Sequence, residues 1–141
     1  MGGFTLIEIL VIVGLFGLLA AMGAFIGFDS IGRSSVHSER DLVVLMLTGA
    51  RTRTLANVNE KAQGVRITNN EIILFEGTLY PGINPRSTPR NSAITVSPAL
   101  PVDIIFDQLS ANVTMGAGTI TLTQDTKNAT IEINGQGRID W

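Results

Sequence analysis

An uninterrupted apolar run over residues 4–28 constrains this chain more than any other feature, and it contains one charged residue, Glu8. As a helix the run is about 37 Å long, enough to cross a hydrocarbon layer of about 30 Å. A carboxylate inside such a layer costs about 2.5–3.5 kcal/mol on insertion scales, so an intramembrane acid usually has a function. The run therefore predicts a transmembrane helix whose acid serves a purpose.

Two other interpretations of the run are a secretory signal peptide and a plain membrane anchor. A secretory signal peptide has a basic beginning and an apolar stretch of about 7–15 residues. Residues 1–3 are Met-Gly-Gly, without Lys or Arg, and the apolar run is too long for that class of segment. A plain membrane anchor fits the length, with Glu8 at the membrane surface reaching toward water, but it leaves the acid without a role.

The motif Gly3-Phe4-Thr5-Leu6-Ile7-Glu8 at the head of the run resembles the N-terminus of the type IV pilin and pseudopilin superfamily. The resemblance implies that a prepilin peptidase cleaves between Gly3 and Phe4 and methylates the new amine of Phe4. It also implies that Glu8 pairs with the N-terminal amine of a neighbouring subunit. The leader, residues 1–3, departs from the family because it lacks the usual basic residues.

Pairing between Glu8 and a neighbour's amine has a physical rationale. Opposite charges that are each costly in lipid remove both penalties when they meet with good geometry. Such a contact would fix the axial offset of adjacent helices, which makes Glu8 a candidate assembly residue. The glycines of the run are interpreted either as ordinary membrane-helix residues or as points of close helix approach; they are Gly14, Gly17, Gly23 and Gly27.

Residues 29–60 are amphipathic instead of uniformly apolar. Apolar residues recur there at spacings of three and four, which indicates one buried helical stripe: Leu42, Val43, Met46, Leu47, Ala50, Leu55 and Val58. One helix is expected from about Thr5 to about Asn57, with residues 4–28 as its transmembrane half and 29–60 as its amphipathic half. Asn57 and Asn59 provide the predicted exit.

Residues 61–141 alternate in the manner of β-strands. A hairpin is predicted from residues 64–68 and 71–75 around an Asn-Asn turn, with further strands at 93–96, 102–106, 119–123, 130–133 and 138–141. Residues 77–92 contain three of the five prolines and are predicted to form an irregular loop. The expected fold class is α+β: a long N-terminal helix, transmembrane then amphipathic, packed on a small antiparallel β-sandwich or sheet head.

The closing segment ATIEINGQGRIDW, residues 129–141, resembles the C-terminal hairpin of H-type minor pseudopilins and FimT-like minor pilins. This resemblance implies a structural, minor subunit of a type II secretion pseudopilus or a type IV pilus. The implied partners are other pilin subunits, the prepilin peptidase, an inner-membrane assembly platform and membrane lipid. The implied location is the inner membrane, crossed once, with the head outside the cytoplasm.

Enzymatic and metal chemistry find little support in the sequence. The single histidine, His37, lies in a polar helical stretch, and the chain has no cysteine. Three aspartates could gather around a calcium ion, but no EF-hand-like run is present, and such residues usually form turns: Asp103, Asp107 and Asp125. No catalytic residue, cofactor or metal site is therefore predicted.

The alternative function is a filament-borne binding module that contacts DNA during uptake, or an exported substrate, through its head. Phosphate contacts require Lys or Arg, and the candidate residues are Arg86, Arg90 and Arg138. The formal net charge of −2 provides no general attraction for nucleic acid. Aromatic stacking partners are scarce beyond Tyr80 and Trp141.

Overall fold

The computed structural model describes residues 5–141, and over residues 20–34 it describes the backbone without the side chains. The predicted leader and the expected cleavage and methylation site at Gly3 and Phe4 lie outside the described residues. The chain divides into two compact units, Met1–Ser34 and Ser35–Trp141.

Helix α1 covers Leu6–Leu55 and is followed by a short 3-10 turn at Val58–Glu60. Its described side chains form two stretches, 6–19 and 35–55, which belong to different units. Asn57 has φ 52°, a left-handed conformation that asparagine tolerates better than most residues and that cannot continue a right-handed helix. The predicted helix exit at Asn57 is thus confirmed.

The predicted transmembrane half of the helix is wrong. Across the residues that the structure describes, no helix is long and apolar enough to cross a membrane. The expected single-pass inner-membrane location is overturned by the same finding. The expected fold class, a long transmembrane and then amphipathic helix on a small sheet head, is also wrong, because the described residues contain no membrane-spanning helix and most of the rest is antiparallel sheet.

Nine strands occur among the described residues, and every hydrogen-bonded neighbour is antiparallel. Their bounds are β1 Gln63–Ile67, β2 Glu71–Glu76, β3 Ile83–Pro89, β4 Thr95–Ser97, β5 Val102–Phe106, β6 Val113–Met115, β7 Gly118–Gln124, β8 Lys127–Ile133 and β9 Ile139–Asp140. Sheet A has the order β3-β2-β1-β5-β6 and sheet B the order β4-β7-β8-β9.

Several strand predictions are confirmed by the pairing. The predicted early hairpin is the β1–β2 pair, in which Val65 faces Leu74 and Ile67 faces Ile72. Strands β5, β7 and β8 also lie where alternation indicates them. The predicted irregular loop at 77–92 is wrong over Ile83–Pro89, which form β3. Strand β6 was not predicted.

The main core lies within the second unit, where the 35–55 stretch and both sheets each bury one face. The helix contributes fully buried Val43, Leu47 and Ala50. The other principal members are Val65, Ile67, Ile72, Ile104 and Phe106 from sheet A, with Ile120, Leu122, Ile131 and Ile133 from sheet B. Leu55, which was predicted to belong to the buried stripe, is instead 47% exposed.

A smaller cluster covers the opposite face of sheet A. Phe75 packs there with Ala62, Ile105 and the ring of Tyr80, whose centroid lies 5.6 Å from that of Phe75. The ring of Phe75 lies directly over Gly64, at a distance that a Cβ atom on residue 64 would violate. This position therefore requires glycine for reasons of space.

Three of the four free sheet edges are short strands, and the fourth contains prolines. The edge strands β4 and β6 have three residues each, and β9 has two. The remaining edge, β3, has seven residues but contains Pro85 and Pro89, which carry no N–H group.

Candidate assembly helix and buried polar clusters

The first described helical stretch, 6–19, exposes its apolar side chains. Leu6 is 83% exposed, Ile12 is 44% exposed, and the other large apolar residues of the stretch lie between these values. A monomeric protein rarely leaves so large a contiguous apolar surface uncovered, and such surfaces mark contacts with partners. This stretch is the strongest candidate functional feature of the chain.

One face of the stretch forms an open groove lined by Leu6, Ile9, Leu10, Val13 and Gly14. The spacing of three and four places these residues on one side of the helix, as a partner helix would require. A Cβ atom added at Gly14 or at Gly17 would meet nothing within 4 Å. Close packing among the described residues therefore does not explain the two glycines.

Glu8 is exposed and occupies the first turn of the helix. Its backbone N–H donates to the Thr5 side-chain Oγ1 at 3.3 Å and to the Thr5 carbonyl at 3.1 Å. Thr5 thus caps the helix, and an acid three residues later fits the capping-box pattern and the positive end of the helix dipole. These bonds come from the Glu8 backbone, so the side chain of Glu8 contributes to this helix end only through its charge near the positive end of the dipole. Its carboxylate has no hydrogen-bond partner among the described residues.

The three arginines predicted as DNA contacts have different environments. Arg86 lies on β3, opposite Leu74, and is exposed. Arg138 is also exposed and donates from Nε to Asp140 at 2.7 Å, an interaction that raises the pKa of Arg138. Arg90 is buried, and its guanidinium is fully committed to the protein. The structure therefore does not bring the three together as an exposed basic cluster.

Arg90 connects the loop after β3 to the second helical stretch. Its Nε donates to Glu39 Oε1 at 2.7 Å, and its two terminal nitrogens donate to the carbonyls of Thr68 at 2.9 Å and Ile94 at 2.6 Å. The side chains of Arg90 and Glu39 are 0% and 6% exposed. The Asn91 N–H also donates to Glu39, at 3.3 Å. We call this group the Glu39–Arg90 pair.

A second buried acid, Glu76, lies at the end of β2. It accepts hydrogen bonds from Arg53 at 2.9 Å, Asn59 at 2.8 Å and Asn84 at 3.3 Å. Burial of the carboxyl acts to raise the pKa of Glu76, but these donors outweigh burial and hold the pKa below its ordinary value of 4.5. The cluster joins the last turn of α1 to the β2–β3 connection.

The aspartates considered as calcium ligands are not assembled into a site. Arg66 donates to both carboxylate oxygens of Asp103, at 2.6 and 2.5 Å, and its guanidinium carbon lies 3.9 Å from the centre of the Tyr80 ring. The hydrogen bond with Asp103 raises the pKa of Arg66. Within the described part of the chain, no group of three His, Cys, Asp or Glu residues could hold a metal ion. His37 lies exposed on the helix.

Comparison with protein-family models, with curated proteins and with solved structures finds no match to this chain. The assignment to a pilin or secretion class therefore has no support from family evidence.

Proposed function

We propose that this chain is a structural subunit of a filament of the pilus or pseudopilus kind, assembling through its N-terminal helix. The observation that carries the proposal is the exposure of every large apolar side chain in the stretch 6–19, between 44% and 83%. Burial stabilises apolar surface by about 25 cal/mol per Å², so this stretch gains from any partner that covers it. The proposed partner is the same stretch of other copies.

The acid in this stretch makes the partner specific. An exposed carboxylate among apolar side chains opposes non-specific association, because covering it without a partner leaves a desolvated charge. The amine of a neighbouring subunit would satisfy Glu8 and fix the axial offset between copies. The motif at residues 3–8, which resembles a prepilin processing site, supports an amine at residue 4 as that partner.

Cysteine cross-linking of the full chain tests the assembly directly, because the chain has no native cysteine. A single Val13→Cys variant should yield covalent dimers with a short bismaleimide. A double Ile9→Cys and Leu18→Cys variant should yield a ladder of higher multiples, since each copy then contacts two neighbours. Thr48→Cys, on an exposed position of the second helical stretch, is the matched control and should cross-link little.

The cross-linking pattern distinguishes a filament from a closed dimer and from a helix that is covered by lipid. A ladder that stops at the dimer would show a closed pair instead of a filament. Cross-links that disappear when the protein is diluted in phospholipid vesicles, while it stays bound to them, would show that lipid covers the stretch. Glu8→Ala should abolish the ladder and leave the fold of the head unchanged; a full ladder from Glu8→Ala would show that the acid has no part in assembly.

Processing is tested separately by intact mass. Co-expression with a prepilin peptidase should yield a chain that begins with a methylated Phe4. Cleavage at another bond would contradict the pilus or pseudopilus assignment while leaving helix-driven assembly in place.

A further inference from the structure

The turn between β8 and β9 is built around the side chain of Asn134. Its Oδ1 atom accepts two backbone N–H groups, from Gln136 at 3.0 Å and from Arg138 at 2.9 Å. The Asn134 carbonyl accepts the Gly137 N–H at 3.0 Å, and Gly137 has φ 76°, the left-handed conformation that such a turn requires. Main-chain donors therefore hold the side-chain oxygen of Asn134 in a fixed position.

The residue that follows Asn134 is a glycine with an accessible backbone nitrogen. Both Asn134 and Gly135 are exposed. The Gly135 N–H donates to no other group among the described residues. Because Gln136 lies two residues after Asn134, its bond to Oδ1 folds the side-chain amide back over the Asn134–Gly135 peptide. With no Cβ atom on residue 135, nothing on that residue hinders approach of its nitrogen to the side-chain amide carbon.

We propose that Asn134 is a self-modifying site, which deamidates through a five-membered succinimide. The Gly135 nitrogen loses its proton to hydroxide and attacks Cγ of Asn134, so that an N–C bond forms. Negative charge develops on Oδ1, where two N–H groups already point, as they do in an oxyanion hole. The Cγ–Nδ2 bond then breaks, and Nδ2 takes a proton from water and leaves as ammonia. Water finally hydrolyses the succinimide at either carbonyl carbon, which gives aspartate or isoaspartate at position 134.

The two donors favour the transition state over the ground state. A hydrogen bond to a charged acceptor is about twice as strong as one to a neutral acceptor, so the bonds from Gln136 and Arg138 strengthen as charge develops on Oδ1. If each bond contributes about a factor of three, the folded turn cyclises about tenfold faster than a flexible chain of the same sequence. The proposal concerns this turn alone and is independent of filament assembly.

The isoaspartate product changes how the turn contacts β6. In isoaspartate the main chain passes through the former side chain and gains one carbon atom between residues 134 and 135. The Gly135 carbonyl, which accepts the Val113 N–H at 2.9 Å, is then displaced. The aspartate product keeps the main chain and an acceptor oxygen for both donors. Isoaspartate should therefore loosen the contact between the turn and β6, whereas aspartate should not.

Mass spectrometry of the full chain, aged in a non-ionic detergent at constant pH and temperature, tests the proposal. The fragment that contains residue 134 should gain the mass difference between Asn and Asp, about tenfold faster than a synthetic peptide of residues 131–138 in the same buffer. Asn128, which is exposed on the neighbouring strand and followed by Ala129, is the internal control and should stay unmodified over the same period. Hydrogen exchange of the Val113 amide should accelerate in the isoaspartate fraction only.

Two variants complete the test. Gly135→Ala leaves the turn intact, because the new Cβ atom meets nothing within 4 Å, but it hinders the attack and should slow the modification severalfold. Asn134→Asp reproduces the aspartate product and should leave Val113 exchange unchanged. A folded chain that is modified no faster than the peptide would overturn the proposal, because the turn would then protect Asn134. Modification of Gly135→Ala at the wild-type rate would overturn it as well, and unchanged Val113 exchange in the isoaspartate fraction would overturn the effect on β6.

Discussion

Loss of Arg90 should destabilise the head far more than loss of an exposed arginine. Arg90→Met would remove the donors to Glu39, Thr68 and Ile94 at once. The Glu39 carboxylate, with its side chain 6% exposed, would keep one donor, the Asn91 N–H at 3.3 Å. Breaking a buried ion pair by removal of one partner costs about 3–5 kcal/mol.

Hydrogen exchange of the full chain can measure this cost separately from the N-terminal stretch. Amides of β1 and β5 lie in the centre of sheet A and should exchange through global opening of the head. A loss of about 3–5 kcal/mol corresponds to exchange about 150- to 5,000-fold faster. Arg40→Met is the matched control, because Arg40 pairs with the 62%-exposed Asp41, and such pairs contribute about 0–1 kcal/mol.

A double variant identifies the origin of the effect. Glu39→Leu combined with Arg90→Met removes both buried charges, and replacing a buried pair by apolar residues is often neutral. Exchange in the double variant should therefore be slower than in Arg90→Met alone. If Arg90→Met accelerates exchange no more than Arg40→Met does, the buried pair does not hold the β3–β4 connection to the helix.

Three further predictions concern the head. The folded-state pKa of Glu76 is lowered, so its stabilisation is present above about pH 4.5 and is lost as the pH falls through the folded value. The free energy of unfolding should consequently fall more steeply on acidification in wild type than in Glu76→Gln, as urea titrations at several pH values would show. Gly64→Ala should destabilise by about 1–3 kcal/mol, because the new methyl group meets the fully buried Phe75 ring; a thermal midpoint unchanged from wild type would contradict this. The fragment Ser35–Trp141, which contains the whole main core, should fold alone, and poorly dispersed amide resonances would show that it needs the N-terminal stretch.

The elements that sequence reasoning predicted correctly are those with local signals. The hairpin β1–β2 alternates apolar residues around an Asn-Asn turn, and Asn57 is a residue type that accepts a left-handed conformation. Strand β3 has no such signal, because its two prolines and exposed side chains are typical of a loop. It forms because β2 provides a partner edge, and pairing overrides local preference.

The Glu39–Arg90 pair could not be predicted from local patterns, because its members are 51 residues apart. One signal was available: Glu39 lies three residues after Val36 and four before Val43, on the buried side of the helix. A buried acid at such a position requires a cation, but the sequence does not say which one.

The transmembrane prediction was wrong for a different reason. Hydropathy reports which environment a segment prefers, and an apolar helix prefers the surface of a protein partner as well as it prefers lipid. No helix among the described residues can cross a bilayer, and the exposure of the side chains in the stretch 6–19 indicates only that something covers them. The processing motif at residues 3–8, which overlaps this stretch, lies partly outside the described residues.

The short or proline-containing edges of the two sheets limit how copies of the protein can associate at high concentration. An unpaired edge strand is a template for amyloid-like growth, and every free edge here is either two or three residues long or interrupted by proline. Stacking of heads into a continuous cross-β ladder is therefore disfavoured even where many copies are crowded together. Ordered assemblies of many copies would therefore have to form through side-chain contacts, which remain reversible. Misassembly into fibrils should be slow.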